Sequence, residues 1–166
     1  MSDENYSVHP LTYDIACEIA ARVLPLDWEE CEVATGNHPG DCLKAVVETN
    51  QFAFAVVRNK DDEALAAIGA YPIDKKSFGV WMLVTDAVTV ADGVFARKQL
   101  PVMLKTLGNL VGCRDGVPHC LAWEGNTVHM RWLHSAGWRP TGLKQPTSTD
   151  KPLKELSYVP TTHSVG

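Results

Sequence analysis

Apolar residues recur at helical spacing near the start of the chain. Ile15, Ile19 and Val23 follow one another at intervals of four positions, which predicts a helix over residues 12–24 with Thr12 as its cap. Pro25 has no backbone N–H to donate to a helical hydrogen bond, so it would end this helix. The pattern therefore indicates a short amphipathic helix that buries one face.

Two further helices are predicted before residue 50. The run Asp27-Trp-Glu-Glu30 has the pattern of a capping box and predicts the start of the second helix. Pro39 suits the first turn of the third, which would turn Leu43, Val46 and Val47 inward. Three helical segments thus precede the first predicted strand.

The pattern changes to short apolar runs in the middle of the chain. Three such runs, at 52–57, 64–71 and 78–85, are separated by polar turns. Connectors this short join antiparallel neighbours, so we predict a three-stranded meander.

A long helical pattern follows the meander. Leu100, Leu104, Leu107 and Val111 share one face of it. Pro101 either kinks this helix or marks its true start, and the sequence leaves both readings open. The remaining predictions are a strand at 119–123, a helix at 127–135, a mobile loop at 141–152 and a last strand at 153–159.

This order of elements predicts the fold class. A strand–helix–strand step inside a mixed sheet makes two neighbouring strands parallel and leaves a crevice beyond their carboxyl ends, where ligands bind. We therefore expect a fold that combines helices and strands, α/β in the broad sense and α+β in detail. Its sheet would be mixed but mostly antiparallel. One domain is predicted over 1–160, helical over about 12–50 and with its sheet core over about 52–159. A flexible tail is predicted at 160–166.

Composition narrows the function without identifying it. The chain has 166 residues, 45% hydrophobic and 21% charged, which suits one globular domain. Its net charge of −5 and pI near 5.6 argue against nucleic acid as a partner. The five cysteines form no C-x-x-C pair, so we expect reduced, mostly buried thiols and no metal site. With no apolar run near the ~18–20 residues of a membrane span, we expect an intracellular, soluble protein.

The segment from Trp123 to Trp138 resembles the closing part of the GNAT family of N-acetyltransferases. There a strand leads to an asparagine, a short helix, and a glycine followed by an aromatic residue, as in Asn126-Thr-x-His129-x-Arg131-Trp-Leu133 leading to Gly137. With Val80-Trp-Met-Leu-Val-Thr85 upstream, the resemblance covers roughly residues 52–140. It is nearest to small GNAT-like proteins of T7-like podoviruses.

The resemblance implies a GNAT fold, a phage origin, action in the cytoplasm of a bacterial host, and acetyl-CoA or CoA as cofactor. In the family, pantetheine pairs with the backbone of the fourth strand, and the pyrophosphate lies at the start of the next helix. The candidate cofactor-binding residues are Leu83, Val84, Thr85, Arg97, Lys98, Asn126 and His129. Arg97 and Lys98 would hold phosphate by charge, although two basic residues on a helix can equally be solvated.

The chain departs from the family pattern at two places. The glycine-rich phosphate loop is replaced by residues 88–98, in which one glycine remains and Asp92 is acidic. Leu133 stands where the family has a tyrosine acid. Acetyl transfer still needs a base, for which Glu124 at the end of its strand is preferred and Asp86 is a second candidate.

Three functions remain open at this point. The first is an acetyl-CoA-dependent acyltransferase that modifies an amine on a host protein or small molecule. The second is a catalytically weak or inactive GNAT-fold protein that binds a host enzyme and redirects it. The third is a structural part of the virion.

Overall fold

The computed structural model describes residues 4–159, and the strands of this range form one seven-stranded sheet. The elements are β1 (Tyr6–Pro10), α1 (Tyr13–Ala20), α2 (Pro25–Thr35), α3 (Pro39–Glu48), β2 (Phe52–Arg58), β3 (Glu63–Pro72), β4 (Ser77–Val84), α4 (Val90–Leu110), β5 (Val117–Trp123), α5 (Thr127–Ala136), β6 (Trp138–Gln145) and β7 (Leu153–Tyr158). The tail predicted at 160–166 lies outside the described residues.

The sheet order is β1-β2-β3-β4-β5-β7-β6, and within residues 4–159 β4 and β5 are the only parallel neighbours. The helix α4 connects these two strands, as the predicted strand–helix–strand step requires. The predicted meander is β2-β3-β4, in which Ala67 lies between Ala55 and Leu83. The predicted fold class, a mostly antiparallel mixed sheet with one parallel unit, is therefore confirmed.

Helices cover both faces of the sheet. On one face α1, α2 and α3 pack against Ala55, Ala67 and Leu83. On the other face α4 packs against Ile68 and Phe78. The central strand β3 is buried from residue 64 to residue 70 and consists largely of alanine there. Small side chains on both faces of β3 let helices approach the sheet closely.

The start of α2 differs from its prediction. The helix begins at Pro25, and its N-cap, Leu24, makes no side-chain capping bond. The predicted capping box of Asp27 and Glu30 is therefore wrong. Both carboxylates lie inside the helix and are buried, because they point into the sheet rather than back to the helix end.

Neither edge strand was delimited from the sequence pattern. β1 pairs with β2 at one edge, and β6 pairs with β7 at the other. The mobile loop expected at 141–152 is wrong for residues 141–145, which belong to β6. Of the β6 residues only Trp138 is buried, and an edge strand exposed on both faces carries no apolar alternation to reveal it.

The ambiguity at Pro101 is resolved by the start of α4. This helix begins at Val90 behind a capping box of Thr89 and Asp92, and Pro101 lies within it at an exposed position. No helix in the range 4–159 has the length and apolar character needed to cross a bilayer.

Candidate active-site cavity

The parallel strands β4 and β5 separate along their length. Their pairing covers only residues 77–79 of β4 and 117–119 of β5, although β4 runs on to Val84 and β5 to Trp123. Strands that diverge in this way leave backbone groups on both facing edges without a ladder partner. The site lies in this splay.

Two carboxylates of α2 enter the splay, and each binds one backbone amide at the end of one strand. Asp27 Oδ2 accepts a hydrogen bond from the Val84 amide at 3.1 Å. Glu30 Oε2 accepts one from the Trp123 amide at 2.8 Å. Because the two acids are three residues apart on one helix, they project from the same face, one toward each strand.

A buried polar network links these acids to the start of α5. Asn126 donates from Nδ2 to Asp27 Oδ1 at 2.8 Å, and its own Oδ1 accepts from the amide of His129. The imidazole Nδ1 of His129 lies 2.8 Å from Glu30 Oε1. Asn126 therefore caps α5 and also fixes α2, which is why it is almost fully buried.

The protonation of this network follows from its burial and its charges. Burial by itself lowers the pKa of His129, but the hydrogen bond and charge of Glu30, with the charge of Asp27, outweigh it and raise that pKa. Burial raises the pKa of Asp27, and the Asn126 hydrogen bond opposes this only in part. The imidazolium form of His129 is thus favoured by its carboxylate neighbours.

A cavity of about 440 Å³ extends from the splay. Its wall includes Cys31 and Leu43 from the face covered by α2 and α3, and Leu100 and Met103 from the opposite face. The cavity therefore passes through the sheet where the strands part. Its lining is mainly apolar, and Asp27, Glu30 and His129 supply charged groups at the splay.

The first turn of α4 borders the same cavity. Asp92, which lines it, accepts hydrogen bonds from the Thr89 backbone amide and from the Tyr6 hydroxyl, and it forms an ion pair with Arg58 at 2.7 Å. Although burial opposes the charge, these partners lower the pKa of Asp92 below its usual value. The negative charge at this helix start is therefore neutralised by Arg58.

The three cofactor-binding residues predicted at the end of β4 and directly after it, Leu83, Val84 and Thr85, are already engaged by protein groups. The Val84 amide donates to Asp27, and its carbonyl accepts from Leu24. The Thr85 amide donates to Leu65, and the Thr85 hydroxyl is buried against the carbonyls at 64 and 65. Leu83 packs its side chain in the core under α1–α3.

The structure separates the other predicted residues into two groups. Asn126 and His129 meet at the splay, as described above. Arg97 and Lys98 are exposed on α4 and are not among the cavity-lining residues. Leu133, at the family's tyrosine position, is buried and lines the cavity.

The two predicted bases lie outside the cavity lining. Glu124 is exposed and pairs with Lys154, whose hydrogen bond lowers the pKa of that carboxyl. Asp86 is exposed and accepts from Arg22 Nε at 2.7 Å. Their catalytic role stays a prediction from the sequence.

The sequence contains a pattern that could have identified the two carboxylates as site residues. Asp27 and Glu30 are spaced i, i+3, and a helix that starts at Pro25 places them on one face. Because the two residues were predicted to cap the helix, their position on one common face was not recognised. Nothing local, however, could indicate that β4 and β5 would receive them.

Comparison with known proteins supports the fold. No family model and no curated protein sequence matches the chain. Among solved structures, a GNAT-family acetyltransferase of Bacillus anthracis superposes with a TM-score of 0.65 at 9% identity, covering 96% of this chain and 97% of its own. The spermidine N-acetyltransferase of Vibrio cholerae, in complex with CoA and spermine, gives 0.65 at 11%, covering 93% and 95%. An N-acetyltransferase of Staphylococcus aureus gives 0.63 at 12%, covering 92% and 97%.

These identities are low, so the likeness concerns the backbone. It extends over nearly the whole of each chain and therefore takes in most of the seven-stranded sheet. The protein therefore has the GNAT acetyltransferase fold.

Proposed function

We propose that the protein is an N-acyltransferase that uses acetyl-CoA to acylate an amine. The observation that carries the proposal is the cavity at the β4–β5 splay with the buried Glu30–His129 pair in its wall. A structural neighbour with the same fold contains CoA, which supports the choice of cofactor.

The residues at the splay fit an extended pantetheine arm. Because the Thr85 amide points to β3, strand alternation turns the backbone groups of Val84, Met82 and Val80 to the opposite side, toward β5. Val84 is occupied by α2, so we assign the pairing to Val80 and Met82, which line the cavity. This moves the pairing predicted for residues 83–85 deeper along β4.

The phosphates are assigned to the start of α4, which borders the cavity at Val88 and Gly93. Arg58 already balances Asp92 there, so the helix start does not present an uncompensated negative charge. Arg97 and Lys98, exposed on the same helix, supply positive charge to the outer phosphates. This assignment keeps both residues in their predicted role.

His129 is the group best placed to move protons at the splay. Glu30 holds its Nδ1, and Nε2 makes no hydrogen bond with other groups of the range 4–159. In its neutral form His129 accepts the proton of the attacking amine at Nε2 and then donates it to the departing sulfur. Acetyl-CoA supplies the acetyl group as a thioester, and Glu30 orients the ring and stabilises its cationic form.

The acceptor is an amine of a bacterial host protein or of a small molecule. The carboxylates of Asp27 and Glu30 attract an ammonium group to the splay. The phage origin and the host target rest on the sequence resemblance alone.

A second candidate function is a GNAT-fold module that binds a host enzyme without turnover. It is favoured by Leu133, which has no proton to donate, and by the engagement of Val84 by α2. The two functions differ in whether the protein releases CoA thiol.

The proposed role of His129 is tested by the rate of thiol release from acetyl-CoA with a panel of amines. His129→Gln should lower kcat/KM by about 10²-fold or more, because a general base contributes that much. The wild-type rate should rise with pH through the raised pKa of His129 and reach a plateau. The affinity of His129→Gln for CoA should equal that of wild type.

Glu124→Gln is the matched variant, since it removes the base predicted from the sequence. Full activity of Glu124→Gln beside an inactive His129→Gln supports the assignment, whereas the reverse pattern transfers the role to Glu124. If wild type releases no thiol with any amine or with bacterial extract, the acyltransferase proposal is refuted, and the binding module and the structural part of the virion remain.

A further inference from the structure

Two cysteines and a threonine form a cluster in the helical wall of the cavity. Cys31 Sγ lies 3.5 Å from Cys42 Sγ, and the Thr35 hydroxyl lies 3.3 Å from Cys42 Sγ. All three residues line the cavity. Cys31 is buried and Cys42 is half-buried, so a small molecule in the cavity meets Cys42 more readily.

We propose that Cys42 and Cys31 are a redox pair, in which Cys42 is the nucleophilic thiol and Cys31 the resolving thiol, and that a peroxide entering the cavity joins them as a disulfide. Two sulfurs 3.5 Å apart need only a short movement to reach the bond length of about 2.05 Å. The proposal concerns a site of covalent modification and does not depend on acetyl transfer.

The surroundings of Cys42 favour its thiolate. Hydrogen bonds from Cys31 and Thr35 lower the pKa of Cys42 to about 6, against the effect of burial and of Asp41, and with some help from His38. The pKa of Cys31 is raised by the same sulfur contact and by burial, so Cys31 keeps its proton. One thiolate beside one protonated thiol is the arrangement that a two-cysteine oxidation requires.

The chemistry balances with hydrogen peroxide as the oxidant. The Cys42 thiolate attacks one peroxide oxygen, the O–O bond breaks, and hydroxide leaves to become water with the proton that Cys42 released. Cys31 sulfur then attacks Cys42 sulfur, the S–O bond breaks, and water leaves with the Cys31 proton. Two thiols are oxidised to one disulfide, and one peroxide is reduced to two waters.

The disulfide would join α2 to α3 directly beside the splay. Cys31 follows Glu30 in the chain, and Cys42 lies in the first half of α3. Oxidation would therefore fix the helical wall of the cavity at the point nearest to Glu30. Reduction of the disulfide would release this wall.

The chain allows a direct test by peptide mapping. Trypsin cuts after Arg22 and Lys44 and at no residue between them, so one peptide contains Cys31, Cys42 and no other cysteine. The reduced full-length protein is treated with hydrogen peroxide at pH 7, alkylated with iodoacetamide and digested. We expect this peptide to lose two hydrogen atoms and take up no alkyl group, and to take up two after reduction with dithiothreitol.

Cys17, which is exposed and falls in a separate tryptic peptide, is the internal control. It should remain alkylated under conditions that oxidise the pair. The proposal is overturned if Cys17 is oxidised while Cys31 and Cys42 both remain free thiols.

Variants assign the two roles separately. Cys31→Ser should stop the reaction at the sulfenic acid of Cys42, which a 1,3-diketone probe traps, and Cys42→Ser should give no adduct at Cys31. An adduct at Cys31 in Cys42→Ser, with none at Cys42 in Cys31→Ser, would reverse the roles and contradict the proposal.

The Thr35 contact gives a further readout on reduced protein. The alkylation rate of Cys42 should be half-maximal near pH 6 in wild type. Thr35→Val should move that midpoint to higher pH, and Thr35→Ser, which keeps the hydroxyl, should not. If Cys42 alkylation has the same midpoint in all three proteins, close to the value of about 8.5 for free cysteine, the proposed role of Cys42 is contradicted.

Discussion

At the scale of single residues, the Glu30–His129 pair should make stability depend on pH. A histidine whose pKa is raised by folding contributes its full stabilisation below its ordinary value of about 6.5 and loses it as pH rises through the folded value. Glu30→Gln should therefore lower the free energy of unfolding at pH 6 by about 1.5–3 kcal/mol, the usual worth of a hydrogen bond to a charged group. The difference from wild type should shrink by pH 9, as urea denaturation at both values would measure.

The neighbouring Glu29 provides the control for this variant. Its carboxylate pairs with Lys151 near the surface, at 2.6 Å and with both side chains about two-fifths exposed. Glu29→Gln should change stability by no more than about 1 kcal/mol and should keep the wild-type dependence on pH. A Glu30→Gln protein with that same dependence would show that Glu30 does not control His129.

At the scale of elements, the first turn of α4 depends on Asp92. This residue completes the capping box with Thr89 and forms an ion pair with the largely buried guanidinium of Arg58. Asp92→Asn breaks a buried pair, so we expect a loss of about 3 kcal/mol at pH 7. The carboxyl has a lowered pKa, so its stabilisation is present above the ordinary value near 4 and is lost as pH falls through the folded value.

The measurement is the free energy of unfolding at pH 7 and at acidic pH, with Asp14→Asn as control. Asp14 occupies the first turn of α1 but is exposed, so its loss should cost only about 0.3–1 kcal/mol. Should the two variants lose equal stability, Asp92 would be a surface dipole partner and not a buried anchor. The gap between Asp92→Asn and wild type should narrow below pH 4.

At the scale of the whole molecule, CoA should stabilise the folded state. A ligand at a hundred times its Kd adds about 2.7 kcal/mol. For a chain of this length each kcal/mol raises the melting temperature by roughly 2–4 °C, so the expected increase is about 5–10 °C. Replacing Arg97 and Lys98 with alanine should reduce this increase, and more strongly at low salt, where their charges are least screened.

Pantetheine, which lacks the phosphates and the nucleotide, separates the two parts of the cofactor site. It should stabilise wild type and the double variant equally, because it needs only the splay. No increase with millimolar CoA would refute the cofactor assignment. A full increase in the double variant would place the phosphates away from Arg97 and Lys98.

What the sequence determined by itself is local. The repeat at Ile15, Ile19 and Val23 predicted α1, although the helix already ends at Ala20, before Val23. The polar turns after residues 57 and 71 predicted the meander. Neighbouring residues encode both features through helical spacing and turn formation. The order of elements was enough for the fold class, since the long helix between β4 and β5 carries the chain back to the same end of the sheet, so that these two strands can run parallel. Asn126 was recognised as the cap of α5, which it is.

Only the tertiary structure decided the site. Glu30 and His129 are 99 positions apart, as are Asp27 and Asn126, and no local pattern relates residues so distant. The same holds for Val84, whose amide is bonded by a carboxylate 57 positions earlier. A helical pattern predicts on which side of the helix an acidic residue lies. Which groups lie opposite that residue depends on where the strands diverge. That divergence is set by the packing of the whole sheet, so the site appears only once the chain has folded.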